Sequence, residues 1–133
     1  MNAQPTVVQP PAGDTASLAG PALRAFFRIA EQWQLTTEQA RHLLGDPPSS
    51  TFFQWKKQRD GHLGRDTLER ISYLLGIFKA LELLFPNPEQ ADGWIRRPND
   101  APLFGGRPAL ERMLSGNVAD LYEVRRYLDA QRG

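Results

Sequence analysis

One short segment of the sequence concentrates the side chains that nucleic-acid-binding proteins use. Hydroxyl and amide groups can bond to base edges, and lysine or arginine can neutralise phosphates with release of counterions. Both kinds follow directly after Pro47 and Pro48: Ser49, Ser50, Thr51, Gln54, Lys56, Lys57 and Arg59. The pattern predicts a helix that contacts DNA, although a solvated helix of an ordinary bundle would carry the same polar residues.

The neighbouring elements indicate how this segment would be presented. Thr36 and Gln39 have the spacing of a capping box, which predicts the start of a short helix. That helix should end in the 45–48 segment, where a glycine and two prolines stop it. A second short helix is expected over 51–59. Two short helices joined by a tight turn are typical of a helix-turn-helix, whose second helix enters the major groove.

Within the second helix we expect a serine cap and an apolar inner face. Ser49 or Ser50 is predicted to be the cap. Phe52 and Trp55 lie three residues apart, on one side of a helix, and are interpreted as core residues rather than base-stacking ones.

No combination of side chains in the sequence predicts catalysis. The chain has no cysteine and two histidines, His42 and His62, which cannot build a metal site by themselves. No nucleophile is paired with a base. Gly105-Gly106 lacks the lysine and hydroxyl residue of a phosphate loop and is interpreted as a turn with positive φ. We therefore expect no enzyme activity, no metal and no cofactor.

The composition favours a small cytoplasmic protein. The chain has 133 residues and a formal net charge of +1, so DNA binding would depend on a local basic patch. The absence of cysteine suits a reducing compartment. The N-terminus lacks the pattern of a signal peptide. The longest apolar stretch, 73–85, is interrupted by charged residues and is not expected to span a membrane.

The apolar periodicity predicts an all-α fold. Residues 1–20 lack it and are expected to be a disordered Pro-rich tail. A helix should begin at Pro21 and reach Gln34. A long helix capped by Asp66, with Glu69 in a capping box, should run to Phe85. Its apolar face is wide enough for burial on two sides, or for a subunit interface.

The rest of the chain predicts shorter helices and one terminal helix. Short helices are expected over 88–96 and from Pro108, and the last one over 118–131. Leu121, Val124 and Leu128 would face inward on the last helix. Its Arg125, Arg126 and Arg132 make it cationic, which is compatible with partner binding or with a solvated helix end that interacts favourably with the dipole.

Three phrases in the C-terminal half resemble a known family. They are Trp94-Ile95-Arg96-Arg97-Pro98-Asn99, Phe104-Gly105-Gly106-Arg107-Pro108 and Leu114-Ser115-Gly116. They resemble the C-terminal toxin-binding domain of the Xre/MbcA/ParS antitoxins, whose members show W-L-x-x-P-N and G-x-x-P-x-x-L motifs. Ile95 replaces the usual leucine. The upstream helix-turn-helix looks like the Xre-like domain of those antitoxins, so the resemblance covers residues 21–133.

The resemblance implies a type II antitoxin that binds a RES-domain toxin, a family that consumes NAD or uses it to modify a target. Antitoxins of this family cover the toxin's active site with their C-terminal segment, here residues 127–133. They also tend to form homodimers and to repress their own operon. The toxin-binding candidates on this chain are Trp94, Arg96, Arg97, Asn99, Arg125, Arg126, Tyr127, Asp129, Arg132 and Gly133.

The predicted architecture is a helix-turn-helix bundle over 21–86 and a small helical toxin-binding domain over 87–133, joined by the long central helix. The alternative function is a stand-alone transcription regulator whose C-terminal domain only dimerises. A neighbouring gene for a RES toxin would distinguish the two.

Overall fold

The computed structural model describes residues 11–133, with side chains from residue 18 onward. Seven α-helices make up this part of the chain, and it contains no β-strand, which confirms the all-α prediction. In chain order they are α1 (Pro11–Gln32), α2 (Thr37–Leu43), α3 (Ser49–Gln58), α4 (Arg65–Leu84), α5 (Pro88–Gly93), α6 (Ala109–Met113) and α7 (Val118–Gln131).

The first helix begins well before the predicted residue. It starts at Pro11 and contains Pro21 in its interior, so residues 11–20 of the expected disordered tail are helical. The prediction failed because Pro21 was taken for a first-turn residue. Ala19 and Leu23 are fully buried on either side of it, and this packing offsets the lost backbone hydrogen bond. The expected disorder of residues 1–10 lies outside the described residues.

The helix-turn-helix forms as predicted, except at the start of its second helix. Thr36 Oγ1 accepts from the Gln39 N–H at 3.0 Å, and Gln39 Oε1 accepts from the Thr36 N–H at 2.9 Å, so the capping box is confirmed. The serine cap of α3 is wrong. Pro48 occupies the cap position, because its carbonyl already accepts from the Phe52 N–H, and Ser49 is the first helical residue.

The long helix α4 lies at the centre of the molecule and packs on both α1 and α7. This confirms the predicted burial on two sides. The predicted cap is wrong, since Gly64 precedes the first helical residue and no side chain caps the helix. Asp66 instead accepts from Arg70 Nε at 2.8 Å, and Glu69 accepts from the Tyr73 hydroxyl.

The C-terminal half folds against α4. The expected helix over 88–96 divides into α5, capped by the Asn87 side chain, and a 3-10 turn over Trp94–Arg96. Helix α7 spans the predicted residues and buries Leu121, Val124 and Leu128 as expected. The two halves share one continuous apolar core, because α4 contributes to both.

Candidate nucleic-acid and partner interfaces

The outer face of α3 is the candidate DNA surface. Phe52 and Trp55 are buried, which confirms that they belong to the core. With about 100° between successive residues, the opposite side of the helix carries Ser50, Gln54 and Lys57, and all three are exposed. The backbone N–H groups in the first turn of α3 have no carbonyl acceptor within the helix, so they are available for hydrogen bonds beside Ser49 and Ser50. This arrangement can bond to base edges and phosphates.

The remaining basic residues of the predicted set lie at the edge of that face. Lys56 is exposed beside a small cavity between α1, α2 and α3. Arg59 is half-buried and has positive φ. Its Nε donates to the Lys56 carbonyl at 2.7 Å, and its guanidinium lies 4.9 Å from the centre of the Phe27 ring. Arg59 therefore stabilises the end of α3 from within the fold. Thr51 is also half-buried, so fewer of the predicted DNA-binding residues are fully exposed than the sequence indicated.

One residue of this face was missed by the sequence reasoning. Phe53 is 51% exposed and lies between Ser50 and Lys57 on the helix surface. The signal was available, because a third aromatic residue next to Phe52 cannot share its buried side on a helix. An exposed aromatic ring can contact thymine methyl groups or a sugar.

An aromatic cluster forms the centre of the C-terminal half. Phe104 is buried, while Trp94 and Tyr127 are half-buried and reach the surface. The ring centroids lie 5.8 Å apart for Trp94 and Phe104, 5.3 Å for Phe104 and Tyr127, and 6.4 Å for Trp94 and Tyr127. Two candidates from distant parts of the sequence, Trp94 and Tyr127, are thus brought together.

The loop before α6 is held by Asn99 and two glycines. The Asn99 side-chain oxygen accepts from the Ala101 N–H at 3.0 Å, and the backbone carbonyl of Asn99 accepts from the Gly106 N–H at 2.7 Å. Gly105 and Gly106 have φ of +60° and +86°, which confirms the predicted positive-φ turn. The Asn99 side chain shapes this loop from inside.

Three of the candidate arginines donate to backbone carbonyls of this chain. Arg96 Nη2 donates to Gln34 at 2.9 Å, which ties the C-terminal half to the end of α1. Arg97 Nη2 donates to Gln90 at 2.9 Å. Arg125 Nη1 donates to Ser72 at 3.5 Å, and its side chain lies over Gly76 of α4, where a Cβ would come 2.6 Å from the Arg125 Cζ. Structural contacts therefore occupy part of each of these guanidinium groups.

The remaining candidates lie at the outer side and the end of α7. Arg126 is exposed, with Glu123 at 3.7 Å. Asp129 is shared by Arg125 at 3.6 Å and Arg132 at 3.4 Å. Leu128 is the last buried residue, and all residues from Asp129 to Gly133 are exposed. The end of α7 is thus a short polar segment available to a partner.

Two ionisable groups near these surfaces have shifted pKa values. The hydrogen bond to Glu69 raises the pKa of the Tyr73 hydroxyl, and its burial adds to the shift. Desolvation raises the pKa of Asp92 in α5. Neither group lies beside a nucleophile. In the described part of the chain no group of three or more potential metal ligands comes together. None of the helices described there is long and apolar enough to cross a bilayer.

Comparison with known proteins assigns both halves of the chain. Residues 12–76 match the antitoxin Xre-like helix-turn-helix domain, and residues 80–133 match the antitoxin Xre/MbcA/ParS C-terminal toxin-binding domain. Neither family is described as an enzyme. The two matches meet inside α4. The chain is also 54% identical over 123 residues to y4oB, an uncharacterized protein of Sinorhizobium fredii, and this alignment covers 92% of each chain. The chain therefore belongs to the Xre/MbcA/ParS antitoxin family, with a helix-turn-helix half followed by a toxin-binding half.

Proposed function

We propose that this protein is a type II antitoxin that neutralises a RES-domain, NAD-consuming toxin by covering its active site with the end of α7. The observation that carries the proposal is the placement of residues 129–133. They are exposed, they follow the last buried residue, Leu128, and they belong to the half that matches the toxin-binding domain.

Charge and aromatic surface near this segment support direct docking. Arg126 and Arg132 can pair with acidic groups of a toxin, and charge-assisted hydrogen bonds are the stronger kind. The half-buried rings of Trp94 and Tyr127 offer a rigid apolar contact beside them. Aromatic residues and arginines are the side chains that most often dominate binding energy at protein interfaces.

The test is co-expression with a RES-type toxin gene, which the proposal expects next to the gene for this chain. Removal of all of α7 would also remove buried Leu121, Val124 and Leu128, so it would not separate binding from folding. A chain that ends after Leu128, and the variant Arg126→Glu, change exposed residues only. We expect both to lose rescue of growth and to bind the toxin at least about tenfold more weakly.

The matched control is Arg107→Glu. Arg107 is also exposed and pairs with Glu111 of α6 at 3.1 Å, but it lies in the loop before α6 and beside Asp120 at the start of α7 rather than at its end. It should neutralise the toxin like the unchanged protein. If the chain ending at Leu128 neutralises as well as the full chain, the proposed role of the terminal segment is wrong.

We propose in addition that the protein represses its own operon as a homodimer in the cytoplasm and has no enzyme activity of its own. The exposed polar face of α3 supports operator binding. The runner-up, a transcription regulator whose C-terminal half only dimerises, would bind the operator but fail to rescue growth from any neighbouring toxin.

A further inference from the structure

A groove follows the seam between α1 and α4. Two adjoining depressions, with volumes of about 350 and 390 Å³, share Leu75 as a lining residue and are therefore continuous. The middle of the α1 wall carries the smaller residues Pro21, Ala22 and Ala25, between Leu18 at one end and Arg28 and Gln32 at the other, and the α4 wall includes Leu68 and Leu75. Small residues on one wall allow another helix to approach closely.

Three exposed residues of α4, Ser72, Lys79 and Glu82, form a straight stripe with the half-buried Leu68 and Leu75. Leu68, Ser72, Leu75, Lys79 and Glu82 follow one another at alternating intervals of four and three residues, which places them on one side of a helix. The stripe is about 21 Å long at 1.5 Å per residue. That length is enough for a helix of several turns to lie along it.

The two ends of this face carry exposed leucines. Leu18 of α1 is 55% exposed, and Leu83 of α4, four residues beyond Lys79, is 63% exposed. Single exposed leucines are common on soluble proteins. Here Leu18 lines one end of the groove, and Leu83 directly follows Glu82, which lines the other end. An apolar groove with exposed leucines at its ends is typical of an interaction surface.

The charged end of the groove indicates which partner fits. Arg28 and Lys79 lie there with Glu82. The ion pairs formed among residues 18–133 include none of the three. A partner with only acidic or only basic groups would leave one sign unmatched. A second copy offers both signs, so that under twofold symmetry each glutamate can face a basic residue of the other copy.

We infer that this α1–α4 face, formed by Leu18, Pro21, Ala22, Ala25, Arg28, Leu68, Ser72, Leu75, Lys79, Glu82 and Leu83, is the surface through which two copies of the chain pair. Phe27, whose ring lies 5.6 Å from that of Phe52, marks the side of α1 that faces α3. The groove lies on the opposite side of α1, so pairing leaves α3 open. The inference rests on the proposed homodimer and not on the identity of the toxin.

The first experiment is sedimentation velocity on the full chain at micromolar concentration. The double variant Leu18→Glu, Leu83→Glu places carboxylates on the α1–α4 face, and we expect it to weaken self-association at least about tenfold. Both side chains are more than half exposed, so the fold should persist, as circular dichroism can verify. Phe53→Glu is the control, since Phe53 is similarly exposed but lies on α3. It should sediment like the unchanged protein.

Cysteine crosslinking gives a second and independent readout. The chain contains no cysteine, so each introduced thiol reports only its own position. We expect Ala25→Cys and Leu75→Cys to give dimers with a short bifunctional maleimide, whereas Phe53→Cys gives none.

The outcomes separate this inference from the proposed function. A dimer that survives Leu18→Glu, Leu83→Glu and does not crosslink through the groove would overturn the assigned face but keep the homodimer. An unchanged protein that sediments as a monomer would overturn both. Failure to neutralise a toxin would bear on the proposed function alone.

Discussion

Arg70 of α4 donates a hydrogen bond from Nη2 to the carbonyl of Gly116, 3.0 Å away in the turn before α7. The Arg70 side chain is 11% exposed, and its Nε donates to Asp66 at 2.8 Å. It also lies against Gly45 in the turn that ends α2. The Arg70 side chain thus contacts the helix-turn-helix, the central helix and the toxin-binding half, and it holds the two matched domains together.

Arg70→Ala should lower the free energy of unfolding by about 2 kcal/mol, because it leaves a part-buried carbonyl without its charged donor. Urea denaturation followed by tryptophan fluorescence measures this. We expect a single transition, since Trp33 and Trp55 lie in the N-terminal half and Trp94 in the other. Arg65→Ala, at the exposed start of α4, is the control and should change stability little. Two separated unfolding transitions would mean that the two halves unfold independently, and they would contradict the role of Arg70 in holding the halves together.

Lys57→Ala should weaken operator binding more than Lys56→Ala does, because only Lys57 lies in the middle of the outer face of α3. Loss of one phosphate contact should reduce the slope of log affinity against log salt by about 0.9. Filter binding over a series of salt concentrations gives this slope, with Arg107→Ala as a control away from α3. Equal and unchanged slopes for both lysine variants would show that α3 does not contact the phosphates.

Arg59→Ala should destabilise the fold rather than remove a DNA contact. The variant loses the bond to the Lys56 carbonyl and the contact with the Phe27 ring, which together should cost about 1–2 kcal/mol. Urea denaturation gives the stability, and the salt slope of DNA binding should stay that of the unchanged protein. A reduced slope at unchanged stability would assign Arg59 to the phosphates instead.

Gly76→Ala should have an effect that depends on Arg125. Alanine is the better helix former by about 1 kcal/mol, but its Cβ would displace the Arg125 guanidinium from α4. We expect nearly no net change in the unchanged background and stabilisation by about 1 kcal/mol in the Arg125→Ala background. A double-mutant cycle from urea denaturation measures the coupling. The same gain in both backgrounds would mean that the close contact carries no energy.

The elements predicted best are those set by neighbours in sequence. The capping box of Thr36 and Gln39 involves residues three apart, and the inner face of α7 repeats at helical spacing, so both could be predicted without the rest of the fold. The start of α1 could not be, because Ala19 becomes buried only when other elements pack against it. Local signals therefore placed most helices but misplaced one boundary by ten residues.

For the candidate site residues, too, the sequence determined one part and the tertiary structure another. The sequence by itself determined an all-α antitoxin-like chain, because periodicity, caps and motif spacing are properties of short segments. Only the tertiary structure decided which charged residues remain available. Arg59, Arg96 and Arg125 each bind a carbonyl or ring supplied by the folded chain, whereas Lys57 and Arg126 project outward. Composition alone cannot distinguish these two groups, because a guanidinium that stabilises the fold and one that binds a partner have the same chemistry and differ only in what surrounds them.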